Sequence, residues 1–304
     1  MVTSQVEQFI RPENLEQAIR ALHSGMVVTT GEYISDVPGY LVDLEWNFFD
    51  ELHRIHVHGT YDDMLKVFAG KTFSVNTVRF GRLPIFVQVA NAKLAAGLFY
   101  QSMTILGLIY NHQIVSMSQL DGGKVRLERR WLTASHWLFR PLHGFFNRML
   151  LRLQDKQDRE DNALVRERRY RLREAGFHFK TDTPDFINSN QLNDHVQFPP
   201  GDRENRLNLA SVLPSVGSES RVKVGSLELL LKRGESAILV WPGICPHEGA
   251  ALEAQHRCDG VVQCPWHGRR FKAAELPLKS DAKWRFLNFL VSLEGEELVV
   301  KAGE

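Results

Sequence analysis

The spacing of apolar and polar residues at the start of the chain predicts a helix followed by strands. Residues 5–24 have helical periodicity, and Gly25 fits the end of that helix. Residues 27–42 are expected to form one or two short strands, with turns at Gly31 and Pro38-Gly39.

Residues 60–135 alternate between apolar and polar positions or are apolar, which is typical of strands. The predicted strands are 71–80, 84–91, 97–110, 113–119 and 124–132. The predicted turns lie at Gly81, Asn111-His112 and Asp121-Gly122-Gly123, and the Asp-Gly pair is a strong hairpin signal. An antiparallel sheet curved around an apolar cavity fits this pattern. Four residues are candidates for the cavity lining, although ordinary core packing accounts for each of them: Leu98, Tyr100, Met103 and Leu106.

A long helix is predicted to begin at Pro141 and to stop at Gly176. A solvated face with i,i+4 ion pairs, such as Asp155 with Arg159, explains the charged residues at its centre. Residues 180–220 are polar and rich in turn residues, which predicts a linker. Further strands are expected at 221–232, 236–240, 286–293 and 297–301.

The composition limits the class of protein. A chain of 304 residues favours two domains, and a formal net charge of +1 gives no reason to expect nucleic acid as a partner. Three cysteines do not suit a disulfide-built secreted protein, and the first residues lack the features of a signal peptide, so we expect a cytoplasmic protein. The apolar segment 94–110 is short for a membrane span and is interpreted as a buried part of the sheet.

The most informative pattern lies near the end of the chain. Cys245-Pro246-His247 is followed, after sixteen residues, by Cys264-Pro265-Trp266-His267-Gly268. Two thiolates and two imidazoles are the ligands of a Rieske [2Fe-2S] centre. Zinc also binds two Cys and two His, but zinc sites more often pair like ligands in each loop. A disulfide would leave both histidines unexplained.

These two loops resemble those of the Rieske domain family, over about residues 206–304. The resemblance implies that Cys245, His247, Cys264 and His267 hold the cluster, with the histidines on its exposed side. Ala250 and Trp266 stand where the respiratory-complex type has two more cysteines, so the loops are similar to those of the ferredoxin and oxygenase branch. Cys258 is expected to be a free thiol.

A second candidate centre lies in the segment 45–59. Non-haem Fe(II) oxygenases hold iron by two histidines and one carboxylate. Asp50 and His53 are three residues apart, which places them on one side of a helix. His58 reaches the same metal only if that helix ends near Val57. A strand face with alternating histidines at 56 and 58 is the alternative.

This segment resembles the D-x2-H-x4-H motif of Rieske non-haem iron oxygenases. The resemblance implies that His53 and His58 are iron ligands, and that Asp50 bridges from a Rieske histidine to an iron-ligand histidine. His56 falls outside the motif. The family's E-D-x-x-[ILV] motif is matched by residues 160–164, which implies Asp161 as the third ligand, with Asp158 as the alternative.

The family resemblance implies an α+β fold in three parts. Residues 1–195 are expected to form a helix-grip (START-like) domain, which combines an antiparallel sheet with a long C-terminal helix. Residues 196–220 would be a linker, and residues 221–304 an all-β Rieske [2Fe-2S] domain. The order is the reverse of the usual order in the family, and the distance from His58 to Asp161 is shorter.

The function implied is that of a Rieske-type oxygenase that uses the cluster, mononuclear Fe(II) and O2 to hydroxylate, demethylate or desaturate a small hydrophobic or aromatic substrate. An external ferredoxin or NAD(P)H reductase would supply electrons, and a homotrimer or other homo-oligomer is expected. The alternatives are an electron-transfer protein with a non-catalytic ligand-binding domain, and a zinc-bound interaction module.

Overall fold

The computed structural model describes residues 12–58, 61–80, 86–105, 107–162, 166–180, 184–199, 204–258, 260–279 and 281–302. The chain divides into two compact units. The first comprises Met1–Tyr170 and Thr181–Gln191, and the second comprises Arg171–Lys180 and Leu192–Glu304.

A seven-stranded antiparallel sheet forms the centre of the first unit. Its strands are β1 (Val27–Pro38), β2 (Tyr61–Ala69), β3 (Phe73–Phe80), β4 (Phe86–Ala95), β5 (Leu98–Ile105), β6 (Ile109–Leu120) and β7 (Lys124–Ser135). Their spatial order is β1-β7-β6-β5-β4-β3-β2. Every neighbouring pair except β1 and β7 is also consecutive in the chain, so hairpins build most of the sheet.

Helices complete the first unit. They are α1 (Pro12–Leu22), α2 (Leu41–Phe49), α3 (His53–Val57) and the long α4 (Arg140–Asp161), which a 3₁₀ turn at Trp137–Phe139 precedes. The buried residues of α4 recur every three, four or seven positions and so form one face. The face comprises His143, Leu150, Gln154, Asp158 and Asp161. Sheet and long helix together make the predicted helix-grip arrangement, and the α+β class is confirmed.

Two predicted turns lie inside strands. Gly31 is within β1 because it faces Trp131 of β7, and a Cβ at Gly31 would lie 2.3 Å from the indole ring. Asn111 and His112 are within β6, where their side chains hydrogen-bond Thr133 and Tyr100. The turn between β5 and β6 contains Gly107, whose φ of 67° suits glycine.

The predicted apolar segment and two further predicted positions lie in or near strands β3 to β6. Residues 94–95, 98–105 and 109–110 of the apolar segment lie in β4, β5 and β6, as expected, and no helix in the described ranges is long and apolar enough to cross a membrane. Leu106 and the predicted turn at Gly81 lie outside the described residues.

The second unit contains mainly short antiparallel strands. The strands are β8 (His178–Phe179), β9 (Val196–Gln197), β10 (Glu204–Asn208), β11 (Glu219–Val224), β12 (Leu227–Arg233), β13 (Ala237–Pro242), β14 (Arg257–Cys258), β15 (Val261–Gln263), β16 (Arg270–Lys272), β17 (Ala274–Pro277), β18 (Lys283–Phe286), β19 (Phe289–Glu294) and β20 (Glu297–Ala302). Two four-stranded sheets have the orders β10-β20-β19-β18 and β11-β12-β13-β17, and the smaller sheets are β14-β15-β16 and β8-β9.

The second unit also has helical segments and its own core. Its helices are the C-terminal part of α5 (Glu167–Glu174) and α6 (Leu209–Val212). The two larger sheets share one apolar core, in which Leu229, Ile238 and Val291 are fully buried.

The boundaries of the units differ from the predicted domains. The predicted linker over 196–220 contains β9, β10 and α6, because Leu209 and Leu213 are buried in the core of the second unit and 204–208 pairs with 297–301. The composition of this segment is polar and rich in turn residues, so the sequence pattern did not indicate the buried leucines or the strand pairing.

The structure describes the predicted long helix in two parts. The first part, α4, is followed by π-type winding at Asn162, and α5 is preceded by the same winding at Arg166. Residues 163–165 lie outside the described ranges. The predicted stop at Gly176 is correct, since Gly176 has a φ of 84°.

Candidate metal centres

The segment that carries Asp50 and His53 is broken between two short helices. Asn190 bridges the break, since its side-chain oxygen accepts hydrogen bonds from the backbone N–H groups of Glu51 and Leu52 at 3.0 and 3.2 Å. Its amide nitrogen donates to the carbonyl oxygens of Phe49 and Phe186. Three of these bonds satisfy backbone groups beside the break, and the fourth holds Asn190 to its own segment.

Buried carboxylates attach this segment to the sheet. The Glu51 carboxylate is fully buried and accepts 2.6 Å hydrogen bonds from Ser74, Asn76 and Asn91. Glu45 accepts a 2.6 Å hydrogen bond from the backbone N–H of Gly97. Because charge-assisted hydrogen bonds of this kind are strong, α2 and the break that follows it are held firmly on the sheet.

Two histidines and one aspartate converge beside this break. The Nε2 atoms of His53 and His58 each lie 3.3 Å from Oδ1 of Asp161, and all three side chains are buried. Helix α3 ends at Val57 and His58 has extended backbone, as the sequence spacing required. The structure therefore brings together residues from α3, the residue after it and the last turn of α4.

Further polar groups orient the two histidines. Oε2 of Glu160 lies 2.9 Å from Nδ1 of His58, and Oδ2 of Asp50 lies 3.6 Å from Nδ1 of His53. Asn47 places its amide nitrogen 3.4 Å from His53 Nε2. A carboxylate behind each imidazole is the usual arrangement around metal-ligating histidines.

Asp158 makes different contacts from Asp161. Its carboxylate is 2.9 Å from Arg129 and 3.4 Å from Arg166, and it accepts a 2.9 Å hydrogen bond from Ser35. Asp158 is therefore engaged in a buried ion-pair network, whereas the Oδ1 atom of Asp161 is directed at the two histidines.

The electrostatics of the three residues suit a cation. Burial would raise the pKa of Asp161, but the neighbouring imidazoles of His53 and His58 hold it well below its usual range. Burial would lower the pKa of His53, but Asp161 and Asp50 raise it to about 9. Oδ1 of Asp161 makes no hydrogen bond of good geometry among the described residues. A metal ion bound by two nitrogens and one oxygen fits this set.

A cavity of about 50 Å³ lies beside these three residues. Its lining is mostly polar and includes Asn47, Phe48, His53, Arg54, His58, Gln101, Met103, Gln113, Arg129, Leu153, Gln154, Gln157 and Asp161. Of the three described residues suggested for an apolar pocket, only Met103 belongs to this lining. Leu98 packs with Ile19 and Leu132 instead, and Tyr100 hydrogen-bonds His112 at 2.6 Å.

The two cysteine-histidine loops of the second unit have matching backbones. In each loop the cysteine carbonyl accepts a 2.9 Å hydrogen bond from a glycine four residues later, Gly249 or Gly268. Both glycines have positive φ, at 87° and 67°. In each loop the cysteine N–H also donates to the carbonyl five residues later. Two equivalent turns thus present one thiol and one imidazole each.

The four side chains of these loops are buried and close together. The Nδ1 atoms of His247 and His267 are 3.2 Å apart, and both cysteines are free thiols. A hydrogen bond from Cys245, helped by His267, lowers the pKa of Cys264 to about 5, whereas burial raises the pKa of Cys245. Two sulfurs and two Nδ1 atoms facing one another fit the ligands of a Rieske cluster.

The sequence interpretation missed two residues beside the cluster loops. His195 Nδ1 is 2.6 Å from Oε1 of Glu248, which is fully buried and follows His247. The His195 backbone N–H donates to the Pro246 carbonyl at 2.9 Å. A glutamate next to a candidate ligand was visible in the sequence, but nothing there connected it with His195.

Part of the second unit matches a known protein family. The Rieske [2Fe-2S] domain family matches residues 208–281. This range contains all four candidate ligands. The match supports a Rieske [2Fe-2S] domain in the second unit and, with it, electron transfer through a [2Fe-2S] cluster. A search of curated proteins gave no match to the sequence.

Several solved structures are similar to part of this chain at low identity. Truncated norcoclaurine synthase from Thalictrum flavum is 10% identical, covers 40% of this chain and 84% of its own, and has a TM-score of 0.34. The Zhui aromatase/cyclase from Streptomyces sp. R1128 is 12% identical, covers 36% and 70%, and has a TM-score of 0.32. The di-domain ARO/CYC StfQ from the steffimycin biosynthetic pathway is 13% identical, covers 54% and 57%, and has a TM-score of 0.41.

The remaining sequence predictions concern His56 and Cys258. His56 is exposed on α3 and is not part of the three-residue cluster, and α3 is a helix rather than the strand of the alternative interpretation. The side chain of Cys258, expected to be a free thiol, lies outside the described part of the chain, as do Gly59 and residues 163–165 of the predicted motifs.

Proposed function

We propose that this protein is a Rieske-type oxygenase, in which a [2Fe-2S] cluster held by Cys245, His247, Cys264 and His267 supplies electrons to a mononuclear Fe(II). His53, His58 and Asp161 would hold that iron. One observation carries the proposal: these three residues converge, buried, beside a cavity in a chain that also has a Rieske domain.

When bound in such a site, Fe(II) supplies the capacity to activate O2 for hydroxylation, demethylation or desaturation. The chain supplies the surroundings. Glu160 and Asp50 orient His58 and His53, and burial keeps bulk water from the three ligands. Asp50 is proposed to serve as the bridging carboxylate on the electron path to His53.

The partners remain part of the proposal. An external ferredoxin or NAD(P)H reductase would reduce the cluster, because the proposed reaction consumes electrons. A homotrimer or other homo-oligomer is proposed from the family resemblance alone.

The test is metal and sulfide content per chain after anaerobic purification and Fe(II) addition. We expect about three irons and two acid-labile sulfides per chain. His53→Ala should lose the third iron and keep the optical spectrum of the cluster. His56→Ala is the matched control, because His56 lies on the same helix but is exposed and outside the cluster of ligands.

A content of about two irons and two sulfides, unchanged by added Fe(II), would contradict the oxygenase proposal. It would favour the second candidate, an electron-transfer protein with a non-catalytic ligand-binding domain. A colourless protein that binds zinc and holds no sulfide would contradict both.

A further inference from the structure

The family resemblance implies a hydrophobic or aromatic substrate, but the cavity beside His53, His58 and Asp161 favours another class. Its lining includes four glutamines, at positions 101, 113, 154 and 157, together with Asn47 and Arg129. Such a lining suits a purely apolar substrate poorly, because each buried polar atom that a ligand leaves unsatisfied costs about 1–3 kcal/mol.

Most of the glutamines are fixed by a polar chain that continues away from the cavity. Gln154 donates to Gln113 at 3.4 Å, Gln113 donates to Asn111 at 3.2 Å, and Asn111 donates to Thr133 at 3.0 Å. Gln101 donates to Asn91 at 2.6 Å. The orientation of the amides is therefore set by the fold, and does not depend on a ligand.

Apart from the three candidate iron ligands, two buried polar atoms of the lining have no hydrogen-bond partner among the described residues. They are Oε1 of Gln154 and Nε of Arg129, and both side chains are at least nine-tenths buried. Gln154 offers an acceptor and Arg129 offers a donor. A buried acceptor and a buried donor in the wall of one cavity are the complement of a ligand that has both a donor and an acceptor.

The charge balance of the site favours a neutral ligand. The guanidinium of Arg129 lies 2.9 Å from Asp158, and Arg166 lies between Asp158 and Asp161 at 3.4 and 3.5 Å. The buried cations are thus matched by buried carboxylates. Arg54, the other cation of the lining, is only half-buried, so water screens its charge.

We infer that the cavity binds a small, neutral, polar substrate that presents a hydrogen-bond acceptor to Arg129 and a donor to Gln154, such as an amide or a lactam. Phe48, Met103 and Leu153 contact its apolar carbons. As an assignment of substrate class, the inference rests on the proposed oxygenase function, but the recognition itself depends only on the cavity.

The test uses three probes of nearly equal size on the purified full-length protein. Pyrrolidin-2-one has the donor and the acceptor, cyclopentanone has the acceptor only, and cyclopentene has neither. Binding is measured by saturation-transfer NMR, which does not depend on turnover. For a probe of this size we expect a Kd of about 0.1–10 mM for the lactam. Each missing hydrogen bond should weaken binding about tenfold.

Gln154→Leu removes the acceptor at similar volume, so the preference for lactam over ketone should vanish in this variant. Gln88→Leu is the matched control, because Gln88 is exposed on β4 and outside the lining. The inference is overturned if cyclopentene binds as tightly as the lactam, or if Gln154→Leu keeps the lactam preference of the wild type.

The inference and the proposed function fail separately. If the protein binds the lactam selectively but takes up no third iron, the oxygenase proposal is wrong and the recognition by the cavity stands. If the third iron binds and the lactam preference is absent, the substrate class is wrong and the metal site stands.

Discussion

Asp158 and Asp161 lie three residues apart on one face of α4, yet their carboxylates have separate roles. Asp161 points its Oδ1 atom at two imidazoles, while Asp158 neutralises Arg129 and Arg166. Helical spacing brings both into the interior, and it is the partner residues on other elements that distinguish a candidate ligand from a structural ion pair.

This distinction predicts opposite phenotypes for two conservative variants. Asp161→Asn should lose most of the mononuclear iron, because the carboxylate ligand is gone. Asp158→Asn should keep the iron but lose about 3–5 kcal/mol of stability, because it leaves buried arginines uncompensated. Iron content and the midpoint of urea unfolding measure the two effects. Iron lost from Asp158→Asn and kept by Asp161→Asn would reverse the assignment.

A buried pair formed by His23, after α1, and His112 on β6 makes stability depend on pH. Nε2 of His23 lies 2.8 Å from Nε2 of His112, and burial, followed by the charge of His23, lowers the pKa of His112 to about 4. The ordinary pKa of histidine is about 6.5, so between pH 4 and 6.5 the unfolded chain binds more protons than the folded one. Stability therefore falls as the pH is lowered through this window.

We expect His112→Gln to flatten that dependence. From pH 7 to 5 the wild type should lose about 1 kcal/mol more stability than the variant, after allowance for hydration of the pair. Urea unfolding at a series of pH values measures the difference. His178→Gln, at an exposed position, serves as the control and should follow the wild type. Parallel profiles for the wild type and His112→Gln would refute a neutral buried imidazole.

The two cluster loops show how one element can be built twice from different sequences. The histidine is two residues after Cys245 but three after Cys264, yet the glycine whose N–H donates to the cysteine carbonyl is four residues after each cysteine. The glycine position, rather than the histidine position, therefore defines the shared turn.

Gly249 has a further constraint that Gly217 does not share. Both have a φ near 87°, but a Cβ at Gly249 would lie 2.6 Å from Leu172 and 3.3 Å from Phe179, while nothing lies within 4 Å at Gly217. Gly217→Ala should cost only the backbone strain, about 1 kcal/mol. Gly249→Ala should also displace the first loop and lower the cluster content. Absorbance of the cluster per chain is the measurement, and equal content in both variants would show that the loop tolerates the clash.

Elements with strong local signals could be predicted from the sequence. The metal-ligand loops, the hairpin at Asp121-Gly122 and the end of the helix at Gly176 follow from residue types and spacing. The sequence predicts a turn at Gly31. The structure requires glycine there because the indole of Trp131 lies against it, and Trp131 is 100 positions away in the chain. The same holds for Asn190, which bridges the break before His53 from a segment 137 residues later. Partners this remote leave no trace in local periodicity.

At the scale of the whole molecule, each unit has its own core and its own candidate centre. Ile114, Val115 and Leu127 are buried within the first unit, and Leu229, Ile238 and Val291 within the second. The three candidate iron ligands belong to the first unit and the four candidate cluster ligands to the second. A ligand stabilises whatever part of the structure must be folded to bind it, so each centre should stabilise its own unit.

Metal removal tests this separation. Hydrogen exchange is compared between protein with Fe(II) at about 100 times its Kd and chelator-treated protein that keeps its cluster. Fe(II) should protect slowly exchanging amides of β6, β7 and α4 by about 2.7 kcal/mol. Amides of β12, β13 and β19 should be unchanged, because they belong to the other core. His53→Ala should lose the Fe(II) effect and His56→Ala should keep it. Equal protection of both sets of strands by Fe(II) would mean that the chain unfolds as one cooperative structure, with stability shared between its two centres.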